Sequence, residues 1–182
     1  MDLSNNEIAG GPSEQKGMPP FPKIWVGYVL GLATSIAEIV ALTMHPELLS
    51  EQFPIPPLYL FLANFICLVY WMVCAYEFHL ILEFATNGEY PIKPVRAAWF
   101  HLIPIYGQYW VYKWPRELAR FVNSRFSAPV MKPDRTGLMV FLAFIFFLFL
   151  ARGLGMILMF WAASYLSTGL RLALAQPETP PA

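Results

Sequence analysis

The sequence predicts an all-α membrane protein with four transmembrane helices, one re-entrant or in-plane broken segment, and a cytoplasmic interfacial amphipathic helix. Three observations carry that prediction. The chain is 57% hydrophobic and 13% charged, with a mean hydropathy of +0.49, whereas an ordinary soluble domain is about 25% charged. Apolar stretches of the length needed to cross a hydrocarbon core of ~30 Å recur along it. Its basic residues gather in one connection, from Lys113 to Arg135, instead of spreading evenly.

The elements follow in order. Residues 1–22 carry Asp2, Glu7 and Glu14 among glycines and prolines, without an apolar core. They fit neither a secretory signal nor an Arg-rich transit peptide, and are expected to be a disordered cytoplasmic tail. IWVGYVLGLATSIAEIVALTM gives a first span at 24–44. The loop HPELLSEQFPIPP has no Lys or Arg, and LYLFLANFICLVYWMVCAYEFHLILEF then gives a second span at about 57–84. From Gly137 to Leu174 only Arg152 and Arg171 are charged, and one helix of that length would run ~57 Å, nearly twice the core. The glycines and charge of ARGLG divide it into spans near 134–151 and 155–173; the alternative is one long tilted or kinked helix. Residues 23–174 thus form a single membrane domain, followed by a Pro-rich disordered tail at 175–182.

Between the second and third spans lies AAWFHLIPIYGQYWVYKWPRELARF. Pro104 removes a backbone donor in mid-segment and Gly107 follows it, a pattern poorly suited to a continuous lipid-exposed helix. Lys and Arg in short loops stay cytoplasmic. Lys93 and Arg96 precede this segment, and Lys113, Arg116, Arg120, Arg125, Lys132 and Arg135 end or follow it. A segment at 95–125 that dips or lies in the plane keeps both groups inside; a full crossing, giving five spans, is the alternative. The dipping arrangement puts both termini in the cytoplasm. Pro115 suits the first turn of a helix, and RELARFVNSR places Leu118, Phe121 and Val122 on one face.

The run YEFHLILEFATNGEYPIKPVRAAWFHLIPIYGQYWVYKWPRELARF resembles small bacterial polytopic membrane domains of unknown function. The pattern is carried by Trp99, Ile103, Pro104, Tyr109, Trp110, Glu117 and Leu118. The resemblance implies a bacterial inner-membrane protein, and no activity comes with it.

Several residues are candidates for specific roles. Glu38 is the one carboxylate well inside a span, where an ionisable group faces the bundle or a wet cavity. Gly27, Gly31 and Ser35 share its face and allow a neighbouring helix to approach closely. Arg152, in the outward break, is the expected partner of Glu38 in a structural ion pair. Tyr109, Trp110, Lys113, Trp114, Arg116, Arg120 and Arg125 form an expected aromatic and basic platform for anionic lipid or a protein partner. His79, Glu83 and His101 are a conceivable metal set, set against their ordinary role as residues at the end of a span.

Cys67 and Cys74 sit ~10 Å apart along one helix, beyond disulfide reach. Asn64, Cys67, Tyr70, Cys74 and Glu77 form a stripe that either lines a solute path or packs the bundle. No phosphate loop or nucleophile motif is present, nothing calls for a cofactor, and the basic loop is explained by membrane orientation, not by nucleic acid. The expected function is a non-catalytic membrane scaffold, assembly or accessory subunit with a protein partner or a second copy of itself. A small transporter or channel component using Glu38 and the stripe is the alternative, and an interfacial His/Glu enzyme the third.

Overall fold

A computed structural model of the chain describes residues 17–49, 55–126 and 130–176. The described residues form six α-helices: α1 Ile24–Met44, α2 Leu58–Ala85, α3 Pro94–Trp99, α4 Tyr106–Arg125, α5 Pro133–Phe149 and α6 Arg152–Leu174. α1, α2 and α6 are long and apolar enough to cross a membrane. α5 has 17 residues and would extend ~25 Å. Most of the two expected tails, residues 1–16 and 177–182, lies outside the described residues. The end of the first tail is not loose, as expected from its composition, but packed. Pro22 is buried, Arg171 lies 4.1 Å over the Phe21 ring, and the carbonyl of Lys23 accepts the Tyr70 hydroxyl at 2.8 Å.

α1 and α6 run antiparallel along a seam of small residues. A Cβ at Gly27 would overlap the Phe160 ring, one at Gly31 would lie 3.0 Å from the Ile157 side chain, and one at Gly153 would enter the backbone of Ser35. The helices therefore pack backbone to backbone, an arrangement that only small residues permit. Between α5 and α6 the chain reverses at Leu150 and Ala151, and Gly155 sits against the Phe147 backbone. The break expected at ARGLG is thus a tight helical hairpin.

The lower half of α2 is covered by α3 and α4. Trp71, Cys74, Ala75, Phe78, His79, Ile81 and Leu82 are buried there, together with Tyr90, Trp110, Trp114 and Leu118. In the upper half, Phe61, Leu62, Phe65, Ile66 and Val69 are exposed, as lipid-facing side chains in a bundle would be. One expectation is corrected here: no helix starts at Pro115. α4 begins at Tyr106 and runs through Pro115, which is buried. An interior proline costs ~3 kcal/mol or more, and the apolar burial of Trp110, Val111, Trp114 and Leu118 around it offsets that cost.

Candidate functional site

The segment between α2 and α5 is a helix, a break and a helix. α3 leads into a 3-10 turn at Phe100–Leu102, and α4 begins after Ile103, Pro104 and Ile105. The break is tight. The N–H of Tyr106 bonds the carbonyl of Pro104 at 2.7 Å, and Ile105 between them has φ +65°. This is the strained form of the γ-turn, held by a β-branched residue that disfavours positive φ. One residue on, a Cβ at Gly107 would stand 2.6 Å from the His101 carbonyl oxygen, so only glycine lets α4 start here.

His101 ties this break to α2. The Trp71 indole N–H donates to His101 Nε2 at 3.2 Å, which makes Nε2 the acceptor and assigns the ring proton to Nδ1. His101 Nδ1–H then faces the carbonyls of Ala97 at 2.9 Å and Ala98 at 3.1 Å. The Ala97 carbonyl also accepts the Trp110 indole N–H at 2.9 Å. Three elements, α2, α3 and α4, thus meet in one hydrogen-bonded network. Burial lowers the His101 pKa to about 4, while the bonds to Ala98 and Ala97 oppose that shift.

Side chains at the apex point outward. Trp99, Leu102, Ile103 and Tyr109 are exposed, and Ile105 is 85% exposed. Tyr70, next to Trp71 in α2, bonds the residue before α1, so the network stands within about one turn, ~5 Å, of the level at which α1 begins. At the opposite end of the segment, Arg125 Nη1 and Glu89 Oε2 are 3.0 Å apart. The chain therefore leaves α2 and finishes α4 at neighbouring points.

The platform expected on α4 is divided by the structure. Tyr109 is exposed, with Lys113 5.5 Å from its ring centre. Trp110 and Trp114 are core residues, 3% and 0% exposed, and present no surface. Arg116 bonds Asp134 at 2.6 Å, Arg120 bonds Glu117 at 3.2 Å, and Arg125 bonds Glu89. A run rich in Trp, Tyr and Arg carries the same composition whether its aromatic side is core or membrane interface, which is why the sequence did not separate the two.

The ion pair expected between Glu38 and Arg152 takes a different form. Glu38 Oε1 accepts the backbone N–H of Arg152 at 3.2 Å, and Oε2 accepts that of Gly153 at 3.1 Å. The residues meet, but through a carboxylate capping the start of α6, with no side-chain ion pair between them among the described residues. Helix N-termini leave four N–H groups without intrahelical partners. Glu38 supplies acceptors from a neighbouring helix.

The conceivable metal set is not assembled. Glu83 pairs with Lys93 at 2.6 Å, and both ring nitrogens of His101 are engaged as above. His79 is fully buried between Tyr90 and Trp114, with ring centres 5.3 Å away on each side. No three His, Cys, Asp or Glu residues among those described are grouped to hold a metal ion. His79 Nδ1 and Nε2, the Tyr90 hydroxyl and Trp114 Nε1 are buried without a hydrogen-bond partner. Along the stripe of α2, Cys67 and Cys74 are free and buried, and the Tyr70 ring packs against Phe160 at 5.9 Å. Sequence reasoning missed the Trp71–His101 contact, for which no local signal exists across 30 residues. No protein family matches the chain, and no curated protein and no solved structure is similar to it.

Proposed function

We propose that the protein is a non-catalytic membrane scaffold or accessory subunit of a bacterial inner membrane, docking a protein partner through the apex of its broken segment. The observation that carries this reading is the apex itself. A buried network of Trp71, His101, Ala97 and Trp110 and a strained turn at Ile105 hold the backbone in one shape, while the side chains presented are apolar and exposed. Strained backbone collects at functional positions; apolar side chains at the edge of the hydrocarbon suit lipid and a membrane partner alike, so the fixed backbone is what supports the reading.

In this reading α1, α2, α5 and α6 cross the bilayer and the segment from α3 to α4 enters and leaves on the cytoplasmic side. The Arg125–Glu89 contact supports it by bringing the two ends together, and retention of Lys and Arg on the inner side supports the orientation, with both termini cytoplasmic. The apex then lies at the inner boundary of the hydrocarbon. Contact with anionic lipid is secondary, because Arg116, Arg120 and Arg125 already hold carboxylates.

A photoreactive amino acid at Ile105, irradiated in native membranes, tests the proposal. A discrete protein adduct is expected from Ile105 and none from the lipid-facing Leu142 on α5. Adducts with lipid alone at both positions would refute partner docking at the apex.

A further inference from the structure

Glu38 meets the start of α6, yet α1 continues to Met44, so the α5–α6 turn stops ~9 Å below the end of α1 at ~1.5 Å per residue. Above the turn lies a cavity of about 200 Å³ whose lining includes Glu38, Arg152, Leu42 and Leu60. Beside it runs an apolar groove of about 310 Å³ along Phe61, Phe65, Leu68 and Phe147. Arg152 and Pro56 line both, so the charged cavity adjoins the groove at those residues.

The charges of this site are unevenly satisfied. The Arg152 guanidinium has no partner among the described residues, its backbone N–H alone being engaged. Each Glu38 oxygen accepts one backbone N–H and keeps a further lone pair. A cation and a carboxylate therefore stand at the head of an apolar channel. A guanidinium at membrane depth is costly unless an anion or a wet cavity receives it, and a planar guanidinium matches phosphate oxygens.

We propose that this site binds one phospholipid with a zwitterionic, primary-ammonium headgroup: phosphate on Arg152, ammonium on Glu38, and one acyl chain in the groove past Phe61 and Phe65. The ammonium discriminates. Its N–H groups donate to the spare lone pairs of Glu38, whereas a choline headgroup offers only methyl groups and a glycerol headgroup no cation. The inference rests on the membrane character of the chain and is independent of partner docking at the apex.

Native mass spectrometry of the full chain in mild detergent tests it, with phosphatidylethanolamine, phosphatidylcholine and phosphatidylglycerol of equal chain length at equal concentration. One phosphatidylethanolamine should be retained about tenfold more than either competitor, the size of effect expected for one charge-assisted hydrogen bond. Glu38→Gln should abolish that preference, and Arg152→Gln, which removes the phosphate's partner, should reduce retention of all three lipids. Leu68→Trp, which fills the groove and leaves both charges in place, should reduce retention of all three lipids, with the thermal unfolding midpoint confirming an intact fold. Chain-free glycerophosphoethanolamine should not compete. Equal retention of the three lipids, retention unchanged by Arg152→Gln or by Leu68→Trp, or competition by the chain-free headgroup would each overturn the assignment.

Discussion

Glu38 caps α6 at Gly153: the carboxylate of one helix holds the first N–H groups of another, at 3.1 Å to Gly153 and 3.2 Å to Arg152. The contact explains why a charged residue occupies α1 at that depth. Because the partners are backbone groups, the Arg152 side chain is not required. Glu38→Ala should destabilise the protein by about 0.5 to 2 kcal/mol, the cost of losing an N-terminal cap. Glu38→Gln, which keeps an acceptor, should cost about 1 kcal/mol or less. Arg152→Gln should stay within about 0.5 kcal/mol, and the double variant should be additive within about 0.5 kcal/mol. Detergent unfolding curves for the four proteins decide this; strong rescue in the double variant would restore a side-chain ion pair.

Gly153 also sets the distance between α1 and α6. Its hypothetical Cβ would lie inside the Ser35 backbone, while that of Gly31 would meet the movable Ile157 side chain at 3.0 Å and the Ile157 backbone nitrogen at 3.2 Å. Gly153→Ala should therefore cost about 1 to 3 kcal/mol through overpacking, and Gly31→Ala less. Equal tolerance of both, measured as unfolding midpoints, would mean that the seam is looser than described.

His101 makes the docking of the broken segment sensitive to acid. Its Nε2 accepts from Trp71, so protonation there removes the bond. The pKa of about 4 in the folded protein lies below the ordinary value of 6.5, so the unfolded chain binds more protons between those values. Stability contributed by neutral His101 is complete above pH 6.5 and falls as the pH drops toward 4, by at most ~1.4 kcal/mol per pH unit. Melting curves at pH 7 and pH 5 should show the loss, and His101→Gln should remove that part of it. An unchanged pH dependence in the variant would assign the effect elsewhere, with His79 the nearest other imidazole in the cluster.

His79 itself presents both ring nitrogens to the core without partners. Each unmade bond costs roughly 1 to 3 kcal/mol. His79→Phe retains an aromatic ring between Tyr90 and Trp114 and removes the two orphaned groups. The variant should be as stable as the parent or more so. A clear loss of stability would show that the imidazole nitrogens are engaged in the native protein.

The helices were legible where apolar length alone decides. The expected spans at 24–44 and 57–84 match α1 and α2 within a residue, because runs bounded by Lys23, His45 and Pro57 admit few other solutions. At the turn the third span was drawn two residues too long and the fourth three residues too short, and the small-residue face of α1 met a helix as its spacing suggests. The break at Pro104 was legible too, since proline and glycine three positions apart interrupt backbone bonding. What could not be read was whatever depends on contact across the chain. Trp114 faces Trp71 and His79 of α2, Trp110 faces Ala97 and Phe100, and Glu38 meets backbone, not guanidinium. Periodicity places residues on a face without saying what the face meets.

The central claim is that the chain from α3 to α4 enters and leaves on the cytoplasmic side, presenting its apex there. In a protein lacking Cys67 and Cys74, single cysteines replacing Glu89 and Ser124 should both resist a membrane-impermeant thiol reagent in intact cells and both react after permeabilisation. Labelling of the Ser124 position alone in intact cells would mean that the segment crosses the membrane, and would contradict the topology on which the proposed function stands.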